Sequence, residues 1–162
     1  MNKIKHWLSI VALAVIGVMS LSTAQAAPSP RDLFLESVSP LKFAETVEAL
    51  KAEMTADGWS VLATHDLSAA LAKKGHTILP VSIIEACSGK YSVVLLKQDD
   101  TRYISSLLPC RISVYETSDG KVIISRMNTE VMGAQMEPAV TEVMGKAGAS
   151  LESIIARVLA RK

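Results

Sequence analysis

The strongest constraint on the fold of this chain is one apolar stripe close to its C-terminus. Six apolar residues recur there at steps of 4, 3, 4, 3 and 4: Val140, Met144, Ala147, Leu151, Ile154 and Val158. This spacing predicts a long helix with a single apolar face, which Pro138 can begin. Such a face has to be buried against a second layer of the protein. Gly145 and Gly148 interrupt the helix, and we expect them to permit a close approach to a sheet.

The segments that can form this sheet lie upstream of the helix. Apolar patterns predict strands over residues 33–38, 59–66, 81–86, 111–116 and 121–127. In the second strand, alternation places four residues on one face: Trp59, Val61, Ala63 and His65. Ser118-Asp119-Gly120 separates the last two strands and predicts a hairpin turn.

Helical patterns separate the predicted strands. Apolar residues at 43, 47, 50 and 54 predict a helix that Ser39-Pro40 begins and Gly58 ends. Residues 67–74 predict a short helix or turn, and residues 90–98 fit either a strand or a short helix. This order of elements predicts an α+β domain with a mostly antiparallel sheet and helices packed on one face.

The first 26 residues have the three parts of a secretory signal. A basic start at residues 3–6 precedes an apolar run from Trp7 to Leu21, and Ala24-Gln25-Ala26 supplies small residues before a cut after Ala26. We therefore expect a cleaved leader and a periplasmic or secreted protein that has no membrane association after cleavage. A retained anchor is the alternative, although a stable span needs about 20 apolar residues.

The rest of the chain suits one domain. Residues 27–32 are predicted to be a linker and residues 33–162 a single domain, because domains commonly contain about 100–150 residues. Without the leader the chain has 15 basic and 16 acidic residues, a net charge of −1. This balance gives no electrostatic support for nucleic-acid binding.

Several local features of the domain are similar to those of one family. The most specific is the strand Leu108-Pro109-Cys110-Arg111-Ile112-Ser113-Val114-Tyr115-Glu116, followed by Asp119-Gly120-Lys121-Val122. Over residues 33–160 the chain resembles the DUF302 family. The resemblance implies a TATA-binding-protein-like fold, also called TT1751-like, which is often dimeric and has no established general activity. Family members often have Cys-Asn-Pro where this chain has Cys87-Ser88-Gly89, so we expect the turn after Cys87 to differ.

The two cysteines, Cys87 and Cys110, both lie in the domain. Export would place them where disulfides persist, and a bond between them would close a loop of about 24 residues, worth about 3.5 kcal/mol in the chain-entropy model. Buried free thiols and a redox or metal site are the alternatives. No Cys-x-x-Cys motif supports a thioredoxin-like site.

The last third of the chain contains four methionines within 18 residues: Met127, Met132, Met136 and Met144. Thioether and thiolate sulfurs are soft ligands that favour Cu(I), so Cys87, Cys110 and Met127 form a candidate metal site. Core packing is the simpler interpretation, because methionine fills irregular gaps between other side chains.

Aromatic and imidazole side chains give a candidate ligand site. His65 shares its predicted strand face with Trp59, and Tyr115 lies in the strand that Cys110 precedes. Histidine can act as a ligand or as an acid–base group, although a hydrogen-bonded structural histidine is the alternative. No catalytic residue and no cofactor is predicted, because the sequence has no nucleophile elbow and no phosphate-binding glycine loop.

These features favour a non-enzymatic periplasmic binding module for a small or apolar ligand, because a pocket between a helix and a sheet is a common ligand site. A thiol-redox or soft-metal site on Cys87 and Cys110 is the first alternative. A dimeric interaction protein, acting as a homodimer, is the second.

Overall fold

The computed structural model describes residues 29–161. Its strands are β1 (Phe34–Ser39), β2 (Ser60–Asp66), β3 (Val81–Cys87), β4 (Cys110–Glu116) and β5 (Val122–Met127). They form one sheet in the order β1-β5-β4-β3-β2, and every neighbouring pair is antiparallel. The predicted α+β class with an antiparallel sheet is confirmed.

Helices connect the strands and pack on the sheet. They are α1 (Phe43–Ala56), α2 (Leu67–Ala72), α3 (Gly89–Leu96), α4 (Thr129–Gly133) and α5 (Pro138–Leu159), with short 3₁₀ helices at Pro30–Leu33 and Arg102–Leu107. The ambiguous stretch 90–98 is therefore helical over most of its length. Among residues 29–161, no helix has the length and apolar character needed to cross a membrane. The predicted leader, residues 1–26, lies outside the described residues.

Helix α1 crosses the whole sheet, because β1 and β2, which it connects, are opposite edges. Its apolar face buries Val47, Leu50 and Met54. At the end of the helix the Trp59 N–H donates to the Met54 carbonyl at 2.9 Å, and Gly58 adopts a φ of 78°. Glycine adopts this left-handed conformation readily, so the predicted helix end at Gly58 is confirmed.

The main core lies between the sheet, α1 and α5. The strands contribute Ile84, Ile112, Val114 and Ile124, which are all 0% exposed. The stripe predicted for the last helix is also confirmed, because five of its members are buried: Val140, Met144, Leu151, Ile154 and Val158. The sixth member, Ala147, is partly buried and packs against the same core.

The start of α1 differs from the prediction. Strand β1 continues through Ser39, which pairs with Val122, and the helix begins only at Phe43. The Ser39 and Thr46 hydroxyls lie 2.7 Å apart in a hydrogen bond. Ser39 therefore ties the strand to the helix instead of capping it, because cross-strand pairing keeps its backbone extended.

A bulge in β2 changes the direction of its side chains. Val61 pairs with Ala86 and Ala63 pairs with Glu85, so Leu62 is an extra residue on this strand. One extra residue moves everything after it to the other face of the sheet. Val61 packs against the core, whereas His65 falls on the opposite face. The prediction that His65 shares a face with Trp59 is wrong for this reason.

Candidate functional site

The candidate site is a cavity at one end of the sheet, where β3 ends, β4 begins and β5 ends. We call it the strand-end cavity. Its wall consists of residues from these strand ends, from α3 and α5, from the second 3₁₀ helix and the residue after it, and from Trp59 and Thr129. It is partly open, and the centre of a water-sized sphere can move through about 70 Å³ of it.

The aromatic part of the wall is held in a fixed orientation. Trp59 is 4% exposed, and its indole N–H donates to Ser150 Oγ at 3.1 Å. Ser150 Oγ in turn donates to Asp57 Oδ2 at 3.1 Å. The Tyr91 ring lies 6.2 Å from the Trp59 ring at an interplanar angle of 53°, within the range of favourable tilted aromatic pairs.

The aliphatic part of the wall comes from a second, smaller apolar cluster. Leu95 of α3 and Ile104 of the second 3₁₀ helix are buried there with Val140 and Met144 of α5. Leu95, Ile104 and Met144 also line the cavity. The cavity therefore lies where the small cluster meets the main core, and its shape depends on how α3 packs on α5.

Four sulfur-containing residues belong to the cavity wall. Cys87, Cys110, Met127 and Met144 all line it. Met132 and Met136, which the sequence grouped with them, instead pack against the smaller cluster. The structure therefore brings together all three residues of the candidate metal site, and it adds Met144 to them.

Both cysteines are free thiols. Cys110 pairs directly with Ala86 and so points to the core side of the sheet. Cys87, the next residue of β3, pairs with the exposed Ser60, so its side chain starts from the opposite side. Side chains that diverge in this way oppose a disulfide, which needs the two Cβ atoms about 3.5–4.5 Å apart. The predicted Cys87–Cys110 bond is not formed in this structure.

Burial raises the pKa of the Cys110 thiol above its usual value of 9.0, and the nearby Cys87 raises it further. The thiolate is the form that reacts with electrophiles, so Cys110 is a poor nucleophile at neutral pH.

We expect iodoacetamide at pH 8 to alkylate Cys110 about tenfold or more slowly in the folded protein than in guanidinium chloride, because both protonation and burial protect it. Peptide mass spectrometry measures the rate at each cysteine. Without reductant, the unfolded chain should take up two labels. The opposite result would be an intact mass that is lower by two hydrogens, with labels taken up only after reduction. That result would show that the Cys87–Cys110 disulfide is present and would contradict the prediction.

Polar groups are sparse on the cavity wall. Among residues 29–161, Arg111 is the one charged residue that lines the cavity, and no aspartate or glutamate lines it. The Ser92 hydroxyl donates to the Ser88 carbonyl at 3.0 Å. Arg111 Nε donates to Glu85 Oε1 at 3.3 Å, and the Arg111 side chain is 66% exposed. The Arg111 guanidinium therefore lies on the face of the sheet that carries Glu85 and His65.

Of the three predicted ligand-site residues, only Trp59 lines the cavity. His65 Nε2 lies 3.5 Å from Glu85 Oε1 on the other face of the sheet. The Tyr115 hydroxyl donates to Glu36 Oε1 at 2.6 Å, and this hydrogen bond raises the pKa of Tyr115. The sequence reasoning missed Ser88 and Tyr91, because residues 90–98 were not assigned as a helix and so had no predicted face.

Conventional metal ligands are not clustered here. Within the described part of the chain, no group of three or more histidine, cysteine, aspartate or glutamate side chains is placed to hold a metal ion. A metal at the two cysteines would therefore need thioether ligands, which Met127 and Met144 can supply to a soft ion.

Fold and site together define a small α+β domain with an apolar, sulfur-lined cavity at one end of an antiparallel sheet. Residues 35–158 match the family described as "Domain of unknown function DUF302". The chain belongs to this family.

A solved structure has the same fold. The crystal structure of the uncharacterized conserved protein DUF302 from Bacillus stearothermophilus superposes with a TM-score of 0.71 at 23% sequence identity. The match covers 78% of this chain and 98% of that one. No curated protein matches this sequence.

Proposed function

We propose that this protein binds a small, largely apolar ligand in the strand-end cavity and has no catalytic role. The observation that carries the proposal is the wall itself, which combines aromatic, aliphatic and sulfur-containing side chains with few polar groups. Ligand sites in proteins typically have this composition, with a few polar groups that fix the orientation of the ligand.

The size of the cavity limits the ligand. The space open to sphere centres, about 70 Å³, is about half the roughly 150 Å³ of an engineered apolar cavity that binds benzene. Because the cavity is partly open, a molecule with one short alkyl chain is the size that we propose. Ligands this small bind with dissociation constants of about micromolar to millimolar.

Filling the cavity with a larger side chain should weaken the binding of a small apolar ligand. Ala147 lines the cavity, so Ala147→Leu is expected to weaken the binding of hexan-1-ol at least about tenfold while leaving the domain folded. Residues 27–162 suit the measurement, because the solved relative is almost entirely this domain. They contain a single tryptophan, Trp59, whose fluorescence reports on the cavity.

Ala149→Leu is the matched control, because Ala149 is exposed on the same helix. This variant should bind hexan-1-ol as the unchanged protein does. Equal binding by both variants, or no binding of small apolar molecules by the unchanged protein, would contradict the proposal.

A second candidate function is Cu(I) binding, which the presence of Cys87, Cys110, Met127 and Met144 in one cavity wall favours. The thiols would lose their protons to the solvent as the metal binds, and the thioethers would complete a soft-ligand site. A chromophoric Cu(I) chelator competes with the protein and so measures its affinity.

On this hypothesis, Cys110→Ser should reduce Cu(I) affinity by about a hundredfold and Met127→Leu by about tenfold. Met136→Leu is the control, since Met136 does not line the cavity and its loss should leave affinity unchanged. If Met127→Leu behaves like Met136→Leu, thioether ligation is wrong.

Export belongs to the same proposal. We infer that the functional form begins at Ala27, after removal of a leader that resembles a secretory signal. The mass of the protein isolated from its natural source tests this, and a chain that retains Met1–Ala26 would contradict it.

A further inference from the structure

One polar residue of the cavity wall has a hydroxyl that no other group of the described residues hydrogen-bonds. Ser88 is 8% exposed and lines the cavity. Its hydroxyl forms no hydrogen bond to any group of residues 29–161, although it occupies the N-cap position of α3, where serine usually accepts one. No fully buried side-chain oxygen or nitrogen of the described residues lacks a partner, so the Ser88 hydroxyl reaches open space at the cavity wall. A ligand in the cavity can therefore form a hydrogen bond with it.

The first amides of α3 lie beside this hydroxyl. The N–H groups of Gly89 and Lys90 have no acceptor within the helix, and no side chain caps them. Helix N-termini carry a partial positive charge and bind anions. Ser88, Tyr91, Ser92 and Leu95 of this segment all line the cavity, so the start of the helix meets its wall.

The charges around this point favour an anion. Lys90 Nζ lies 5.2 Å from the centre of the Tyr91 ring and pairs with no carboxylate of the described residues. Arg111 pairs with Glu85 at 3.3 Å on the opposite face of the sheet, together with His65, so neither the guanidinium nor this carboxylate lies beside the start of α3.

We propose that the ligand of the strand-end cavity is a small organic monoanion, a carboxylate with a short apolar body, whose head group binds Ser88, the first amides of α3 and Lys90. This inference rests on the proposed binding function and specifies its ligand class. The apolar body occupies the space beside Trp59 and Leu95. The carboxylate accepts hydrogen bonds from donors that no other group of the described residues accepts.

Calorimetry on residues 27–162 tests the head group with three ligands of one chain length: hexanoate, hexan-1-ol and hexylamine. Hexanoate should bind at least about tenfold more tightly than hexan-1-ol, because hydrogen bonds to a charged acceptor are stronger. Hexylamine should bind more weakly than either. If hexan-1-ol binds as tightly as hexanoate, the anion inference is overturned and the binding function stands. If no ligand binds, both are overturned.

Two pairs of variants locate the head group. Ser88→Asp and Ser88→Asn both keep a good N-cap residue, yet only Ser88→Asp adds a negative charge, and it should reduce hexanoate affinity about tenfold or more relative to Ser88→Asn. Lys90→Met and Lys97→Met change the net charge equally at opposite ends of α3, and only Lys90→Met should weaken hexanoate binding. Equal effects within either pair would place the carboxylate elsewhere and overturn the assignment.

Discussion

Replacing Glu152 with alanine is expected to lower the free energy of unfolding by about 2–3 kcal/mol, one of the two largest effects we predict. The Arg126 side chain is 7% exposed. It donates from Nε to Glu152 Oε1 at 2.8 Å and from Nη1 to Ser37 Oγ at 2.8 Å, and a second bond from Nη2 joins it to Glu152.

Removing one partner of a buried ion pair usually costs about 3–5 kcal/mol, because the other charge stays buried and unpaired. We expect the smaller loss of about 2–3 kcal/mol here, because the Glu152 side chain is 42% exposed and water can partly replace it. Urea unfolding followed by circular dichroism gives the change in free energy.

Two further variants separate the charge effect from loss of packing. Arg126→Met combined with Glu152→Ala should recover at least half of the lost stability, because no buried charge then remains. Glu142→Ala is the matched control on the same helix. It breaks an exposed pair with Lys146, which should change stability by less than about 0.5 kcal/mol. A loss at Glu152 no larger than at Glu142 would show that Arg126 is solvated.

The second large effect is expected at Gly148, where alanine should lower the free energy of unfolding by about 1–3 kcal/mol. A Cβ at this position would overlap Thr129 Oγ1 and would lie 3.1 Å from Thr129 Cβ. Glycine therefore allows α4 to approach α5 closely. Thermal unfolding compared with the unchanged protein measures the loss.

Gly145 provides the internal control for that substitution. A Cβ built on Gly145 meets nothing within 4 Å, so Gly145→Ala should stabilise the helix by up to about 1 kcal/mol. The two substitutions are chemically identical and three residues apart, yet the expected changes have opposite signs. Stabilisation by Gly148→Ala would mean that Thr129 can move away at little cost.

The two glycines also show where sequence reasoning stopped. Their positions predicted a close approach to a sheet, and this prediction is wrong. Gly145 has no neighbour within 4 Å of its Cβ position, and Gly148 approaches Thr129 of the helix α4. No pattern in the sequence predicted α4, which is five residues long. Such a short helix has too few residues to display a period, so its position depends on the packing around it.

Features that depend on neighbouring residues were predicted well. They include apolar repeats and the glycines that end a helix or form a turn, which are local properties of the chain. The stripe from Val140 to Val158, the helix end at Gly58 and the hairpin at Gly120 all follow from neighbouring residues alone. The direction of His65 did not follow, because the bulge at Leu62 appears only when β2 pairs with β3.

The sequence by itself determined the five strands, the two long helices, their order, and the sulfur- and aromatic-containing residues available for a site. Only the tertiary structure decided that Trp59, Cys110, Met127 and Met144 surround one cavity and that His65 and Tyr115 lie away from it. The physical reason is that strand register and helix placement minimise the free energy of the whole domain. No residue's immediate neighbours encode which distant side chains it will meet.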